Sequence, residues 1–300
     1  MTIPYAKQYQ DIPELIALLK KRGLIINDEA KAQSYLARIG YFRLSAYFYP
    51  LLEQPKTTHK YKSGSTFEQV LDLYRLDRKL RLLIFNEIEK IEVAIRSAMV
   101  NTACQHFNDT YWITQSRYFY DRNYFVSSMN EIDSELSKSR EDFIEHFKNT
   151  YSDPYPPAWM IAEILPLGNI CRIYKNINNL NLKKIIARQF GLQPVAFESW
   201  IMTIAGLRNI CCHHNRLWNR ALPIRTILPQ NTIFPWISNP SIIDIQRVFF
   251  RLCMIRYLLF SVSPHNTLKG KLIDLLNKYP NVDINAMGFT VNWQNEPLWR

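Results

Sequence analysis

The sequence predicts an all-α protein, and three observations predict it. Apolar residues recur at three- and four-residue spacing over long stretches, the period of a buried helix face. Hydrophobic residues make up 47% of the 300, enough for a sizeable core, and only 8 residues are glycine. Helix start and stop residues bracket most of the periodic runs.

The elements follow in order. Asp11 with Pro13 marks a helix start and Gly23 its stop. Asn27 or Asp28 opens a second helix that ends near Gly40. The segment YFRLSAYFYPLL from Tyr41 is expected to bury its aromatics, with Arg43 as a buried structural donor. Residues 53–65 are polar, contain Pro55 and Gly64, and read as a loop. Thr66 and Gln69 form a capping box for a long helix running to about His106. Ile84, Ile88, Ile91 and Ile95 are its apolar stripe. Glu89, Glu92 and Arg96 line the edge of that stripe, and Glu92 and Arg96, four apart, can pair. The pair reads either as a structural ion pair or as a brace for a site elsewhere.

Residues 108–125 interleave Tyr, Phe and Trp with Arg. Such a stretch stacks single-stranded bases or packs as a connector. Residues 127–150 are expected to form one amphipathic helix, stopped by the prolines of DPYPPAW (153–159). Helices are expected over 159–165, 168–178 and 182–190, with Gly191 as a C-terminal cap. A central helix runs from near Pro194 to about Asn219. Pro223, Pro229, Pro235 and Pro240 make 221–240 irregular. Ser241 is expected to cap an apolar helix to Val262 that carries Arg247 and Arg251 on one face. Pro264 breaks it, and a short helix over 267–278 precedes an aromatic tail. The expected divisions are 1–65, an N-terminal helical region; 66–262, the main helical domain; and 263–300, a C-terminal helix and tail.

The chain carries 37 Lys and Arg against 26 Asp and Glu, a net charge of +11. That balance fits a polyanion such as RNA, or simply a soluble basic protein. The first residues, MTIPYAKQYQD, lack the apolar core of a signal peptide. The cysteines at 104, 171, 211, 212 and 253 are odd in number. A cytoplasmic setting with reduced thiols is expected. The longest apolar stretch, 248–262, is interrupted by Arg251 and Arg256, so no membrane association is expected.

The chemistry concentrates in Leu207–Arg220, LRNICCHHNRLWNR. On a helix at 100° per residue, Leu207, Ile210, Cys211, His214, Leu217 and Trp218 share an apolar arc. His214 then reads as structural. Arg208, Asn209, Cys212, His213, Asn215 and Arg216 share the opposite arc. That face offers a guanidinium, amides and an imidazole with no carboxylate, which suits a phosphate and a proton-transfer step. Arg208 and His213 are five apart, about 140° around the helix. They meet only if the arginine bends round or a second copy supplies the partner. Four consecutive ligand-type residues on a helix cannot close a tetrahedron on one ion, so neither a metal nor another cofactor is expected. No glycine-rich phosphate loop or nucleophile elbow is visible.

RNICCH resembles the Arg-X4-His motif of the HEPN ribonucleases, with the Asn that often follows the Arg. Its context resembles the Abi-like abortive-infection proteins of the AbiD/AbiF type. RGLIINDEAKAQSYLARIGYFRLSAYFYPLL, IEKIEVAIR and PPAWMIAEILPLGNI agree with that family in the same order. The resemblance covers about residues 10–260; Pro166 and the tail beyond 262 fall outside the match. It implies a HEPN-like helical bundle with additional N- and C-terminal helices. It further implies a metal-independent endoribonuclease of phage defence, or a toxin component held by a small RNA. A homodimer pairing two motif helices is also implied. By carry-over Arg208, Asn209 and His213 are the catalytic positions. Arg216 and Arg96 are the candidate RNA contacts, with Arg216 equally readable as a solvated charge. Glu92 and Glu89 are the supporting carboxylates. A protein that binds RNA without cutting it is the alternative.

Overall fold

Capping chemistry sets where the helices begin. In the computed structural model, which describes residues 4, 6, 8–222 and 226–300, twelve α-helices and isolated β-bridges are present, without a strand among the described residues. Pro223 and part of the MTIPYAKQYQD start lie outside the described residues. The chain forms two compact units: Met1–Lys79 with Leu275–Val282, and Leu80–Asp274 with Asp283–Arg300. The sequence-drawn boundary at 65/66 falls within the first.

In the first unit, α1 (Ile12–Lys21) opens on a capping box. Asp11 accepts from the Glu14 backbone N–H at 2.8 Å, and Glu14 accepts from the Asp11 N–H at 2.9 Å. Gly23, at φ 93°, ends it. α2 (Glu29–Ile39) is capped by Asp28 and stops at Gly40. α3 (Tyr41–Phe48) buries Leu44, Tyr47 and Phe48. This 3–4 spacing leaves Phe42 at 92% exposure and Arg43 exposed too, so neither joins the core as expected. The Tyr47 hydroxyl donates to the buried Asp77 carboxylate at 2.6 Å. α4 (Phe67–Phe107) begins at the predicted Thr66–Gln69 box, with bonds of 2.9 and 3.2 Å, and continues for 41 residues.

From Leu80 onward α4 belongs to the second unit, where its isoleucine stripe is fully buried. The aromatic stretch after it packs on itself. Phe107 stacks on Tyr118 with ring centroids 4.0 Å apart, and Trp112 is buried. It is a connector rather than a row of free stacking faces, although Tyr120 stays exposed. The single helix expected over 127–150 is two. α5 (Arg122–Lys138) starts earlier because the Asp121 carboxylate takes the Asn123 and Tyr124 N–H groups. α6 (Asp142–Thr150) follows extended backbone at Ser139 and Glu141, with Asp142 and Glu145 favourably placed in its first turn.

Next come α7 (Ala158–Ile164), α8 (Leu167–Asn176), α9 (Leu180–Gln189) and α10 (Pro194–Cys212). α8, α9 and α11 (Val248–Val262) pack against α10, and α5 packs on α7 and α8. α11 is buried around its whole circumference over most of its length. Ser241 does not cap it. Asp244 takes the Gln246 and Arg247 N–H groups and turns the chain, delaying the helix to Val248. Arg251 is buried and donates to Thr226 and to the Leu222 carbonyl. Burial pushes its guanidinium down to about 10. α12 (Leu268–Asn277) and an aromatic tail follow, with Trp293 and Trp299 packed against Phe249. No helix among the described residues is long and apolar enough to cross a membrane.

Asp109 ties down the connector that leaves α4. It accepts from the Tyr111 N–H and Arg117 Nη2 at 2.8 Å and from the Tyr118 hydroxyl at 3.0 Å. Desolvation pushes its carboxyl up, but these bonds outweigh that and hold it below its ordinary value. The ion is therefore favoured in the folded chain, and its stabilisation is present above the ordinary carboxylate pKa and lost as pH falls through the lowered one. Asp109→Asn is expected to lower Tm by about 2–4 °C at pH 7. The gap should close as melts are repeated toward pH 3.

Candidate active site

α10 is launched from a helix stop. Gly191, at φ 69°, and Leu192 return N–H groups to Arg188 and Ala187, closing α9, and Pro194 occupies the first turn of α10. A side chain at 191 would meet the Phe234 ring at 2.7 Å, so glycine is required there sterically as well.

The other end of α10 comes sooner than the periodicity predicts. His213 caps the helix, its N–H reaching the Asn209 carbonyl at 3.0 Å. His214 turns left-handed at φ 56°. Its N–H bonds Cys211 O at 3.1 Å, and the Asn215 N–H bonds Ile210 O at 3.0 Å. This pair of bonds is the Schellman ending, with histidine where glycine is usual. The expected helix to Asn219 is thus a helix to Cys212 and a folded-back loop.

Several contacts hold that loop. Arg81, only 5% exposed, donates to the Asn215 carbonyl at 3.4 Å. Leu217 and Trp218 are buried, and Trp218 Nε1 donates to the Asp283 carbonyl at 3.4 Å. Arg247 Nη1 reaches Asn219 Oδ1 at 3.0 Å. The two apolar residues therefore fill the core through the loop. His214 is exposed, which overturns its reading as a core histidine. Cys211 is buried, Cys212 half-buried, and Asn209 and His213 exposed.

Arg208 sits one turn before the helix end with its side chain 37% exposed. Its Nε is buried without a hydrogen-bond acceptor, 3.7 Å from Glu92 Oε2, and its Nη1 donates to Asn209 Oδ1 at 3.4 Å. The other oxygen of Glu92 accepts from Arg96 Nη2 at 2.5 Å. Arg96 Nη1 donates to the carbonyls of Ala162 and Leu165. Arg96 is 9% exposed, so its position is that of a brace, not of the RNA contact expected for it. The reason is local. Pro166 has no N–H to give the Ala162 carbonyl, and Arg96 supplies the missing donor. The thiol of Cys171, buried on α8, lies in the field of this pair: burial raises its pKa, Glu92 adds to the rise and Arg96 opposes it.

These contacts bring together Glu92, Arg96, Arg208 and Asn209. His213 stands at the helix cap beyond them, and Arg216 is half-buried in the loop, its carbonyl accepting from Arg220 Nη1 at 3.5 Å. Glu89 is exposed one turn earlier on α4, outside this set. Arg81 went unrecognised in the sequence. Its signal is a cation between Leu80 and Ile84, both on the buried side of α4.

A model of the Abi-like protein family matches residues 34–219, well over half of the chain. The span includes every residue placed above at the end of α10 up to Asn219, and both Glu92 and Arg96. No curated protein and no solved structure matches the chain.

The left-handed turn at 214 gives a direct test of the helix end. Asparagine tolerates that conformation and a β-branched residue does not. His214→Asn is expected to melt within about 0.5 kcal/mol of wild type, and His214→Val to lose about 1–2 kcal/mol in chemical denaturation. Equal losses would indicate a helix that continues past Cys212.

Proposed function

The chain belongs to the Abi-like protein family, and from that membership and the geometry at the end of α10 we propose a metal-independent endoribonuclease of abortive-infection phage defence, with the HEPN type of active site. The observation that carries the reading is the presentation of two groups at one open helix end. Arg208 is held along one edge yet partly exposed, and His213 is exposed at the cap. The sequence RNICCH supplies these groups at the Arg-X4-His spacing that the HEPN ribonucleases share.

The reaction is transesterification. His213 takes the proton from a ribose 2′-hydroxyl, whose oxygen attacks the adjacent phosphorus. The P–O5′ bond breaks, and an imidazolium returns a proton to the leaving oxygen. Arg208 holds the non-bridging oxygens and offsets the charge that builds on the five-coordinate phosphorus. Asn209, bonded to Arg208, keeps that guanidinium in line. The products carry a 2′,3′-cyclic phosphate and a 5′-hydroxyl. A homodimer places a second imidazole at the scissile bond, so that one copy acts as base and the other as acid. Arg216 and the net charge of +11 favour an RNA ligand. In this reading the protein works in the cytoplasm, and a small RNA is the kind of partner that would restrain it.

Single-stranded RNA incubated with the purified protein in EDTA is expected to be cut, while the all-deoxy strand stays whole. His213→Ala and Arg208→Ala are each expected to lower the rate by about 100-fold or more with unchanged circular dichroism. Undiminished cutting by both variants would exclude this site. Tight, salt-dependent RNA binding without any product would favour a binding protein instead.

A further inference from the structure

We infer that Glu92 is a positioning residue for Arg208, pairing with the guanidinium at its Nε edge so that the Nη donors not given to Asn209 are left for phosphate. The catalytic consequence rests on the ribonuclease reading; the contact itself does not.

Three observations converge on Glu92. Its side chain is 15% exposed and lies between two guanidinium groups, with one oxygen toward each. Arg96 is not free to move, since its Nη1 is committed to the Ala162 and Leu165 carbonyls. Through Nη2 it fixes the Glu92 carboxylate in turn. Arg208 Nε, lastly, is a buried donor whose nearby acidic oxygen is Glu92 Oε2, at 3.7 Å. Closing that gap to about 2.9 Å needs a shift of under 1 Å. Phosphate drawing on the outer edge of Arg208 leaves the inner edge available for this closure.

The charge count supports the same role. Two guanidinium groups and one carboxylate leave a single surplus positive charge. Glu92 divides its charge between them, so it orients Arg208 without cancelling its attraction for phosphate. The planar fork of arginine allows both edges to be used at once, which a lysine ammonium cannot do. Glu92 therefore acts on Arg208 rather than on His213. It also links the site to the α7–α8 joint, whose carbonyls hold Arg96.

The test uses the full chain and Glu92→Gln, which keeps an oxygen for Arg96 but removes the charge. Glu92→Asp, which keeps the charge but withdraws it by one methylene, serves if the first variant is unfolded. The Arg208 Nε–H signal is assigned by its loss in Arg208→Lys, and its solvent exchange is followed by 15N NMR. Exchange is expected to speed up at least tenfold in the Glu92 variant. The kcat/KM for single-stranded RNA is expected to fall about tenfold to a hundredfold. In an Arg208→Lys background the same change should cost little more, because both substitutions remove one interaction. Unchanged exchange overturns the proposal, as does a loss of activity that adds fully in the double variant. If the wild-type protein cuts no RNA, the ribonuclease reading falls, and the exchange measurement alone decides whether Glu92 holds Arg208.

Discussion

The peptide nitrogen of Pro166 carries no hydrogen, so the Ala162 carbonyl one turn earlier has no helical donor. The second unit meets that deficit with Arg96, reaching across from α4. A buried guanidinium is itself costly. Taking it out of water costs several kcal/mol unless its donors are matched and its charge is paired. Two carbonyls and the Glu92 carboxylate match them here. Open carbonyls at the end of α7 thus fix Arg96, Arg96 fixes Glu92, and Glu92 sets the direction from which Arg208 is held. Helix packing around α10 supplies the frame, but this polar chain decides where its guanidinium sits. It is also why an ion pair of adjacent helical turns, worth a few tenths of a kcal/mol on an open surface, matters more where both members are nearly buried.

A second constraint acts at the end of α10. Leu217 and Trp218 need to be buried, and the apolar arc of a continued helix would bury them. The chain achieves the same burial by stopping at Cys212, turning left-handed at His214 and folding back. Arg81 and Arg247 hold the returning loop from α4 and from the cap of α11. The result is an exposed tip of His213, His214 and Asn215 on firm supports. A helix running through would have placed His214 in the core and left one histidine, not two, at the surface.

Much of this was legible in the sequence because it rests on local chemistry. Asp11, Asp28, Thr66 with Gln69, Gly23, Gly40 and Gly191 act within four residues of themselves, and their caps and stops can be read from spacing. The isoleucine stripe of α4 follows from its period alone. What could not be read depended on distant partners or on an atypical residue. The left-handed turn falls on a histidine, so the usual glycine signal is missing. Arg96 carries the same charge whether it faces solvent or caps α7, and only the position of Ala162 decides. Ser241 is a sound cap in isolation, but its N–H and hydroxyl are given to Asn239 in a short turn, and Asp244 turns the chain again before α11 begins. The expected 127–150 helix divides at Ser139–Glu141 with neither glycine nor proline to mark the break.

On the proposed ribonuclease reading, a site at a helix C-terminus meets one more requirement. Phosphate is commonly met by helix N-termini, where free N–H groups and the positive end of the macrodipole attract it. The end of α10 offers the opposite: carbonyls and a partial negative charge. A phosphodiester docking there gains nothing from the backbone, so side chains have to supply all of the attraction and overcome the dipole as well. On the ribonuclease reading proposed above, the cation-rich, carboxylate-free run from Arg208 to Arg220 beside the helix end serves that need. On the same reading Glu92, the carboxylate beside Arg208, shares its charge with Arg96. An unshared carboxylate against Arg208 would cancel the charge of that guanidinium. The shared one leaves a surplus charge while still fixing direction, as the phosphodiester site proposed above requires.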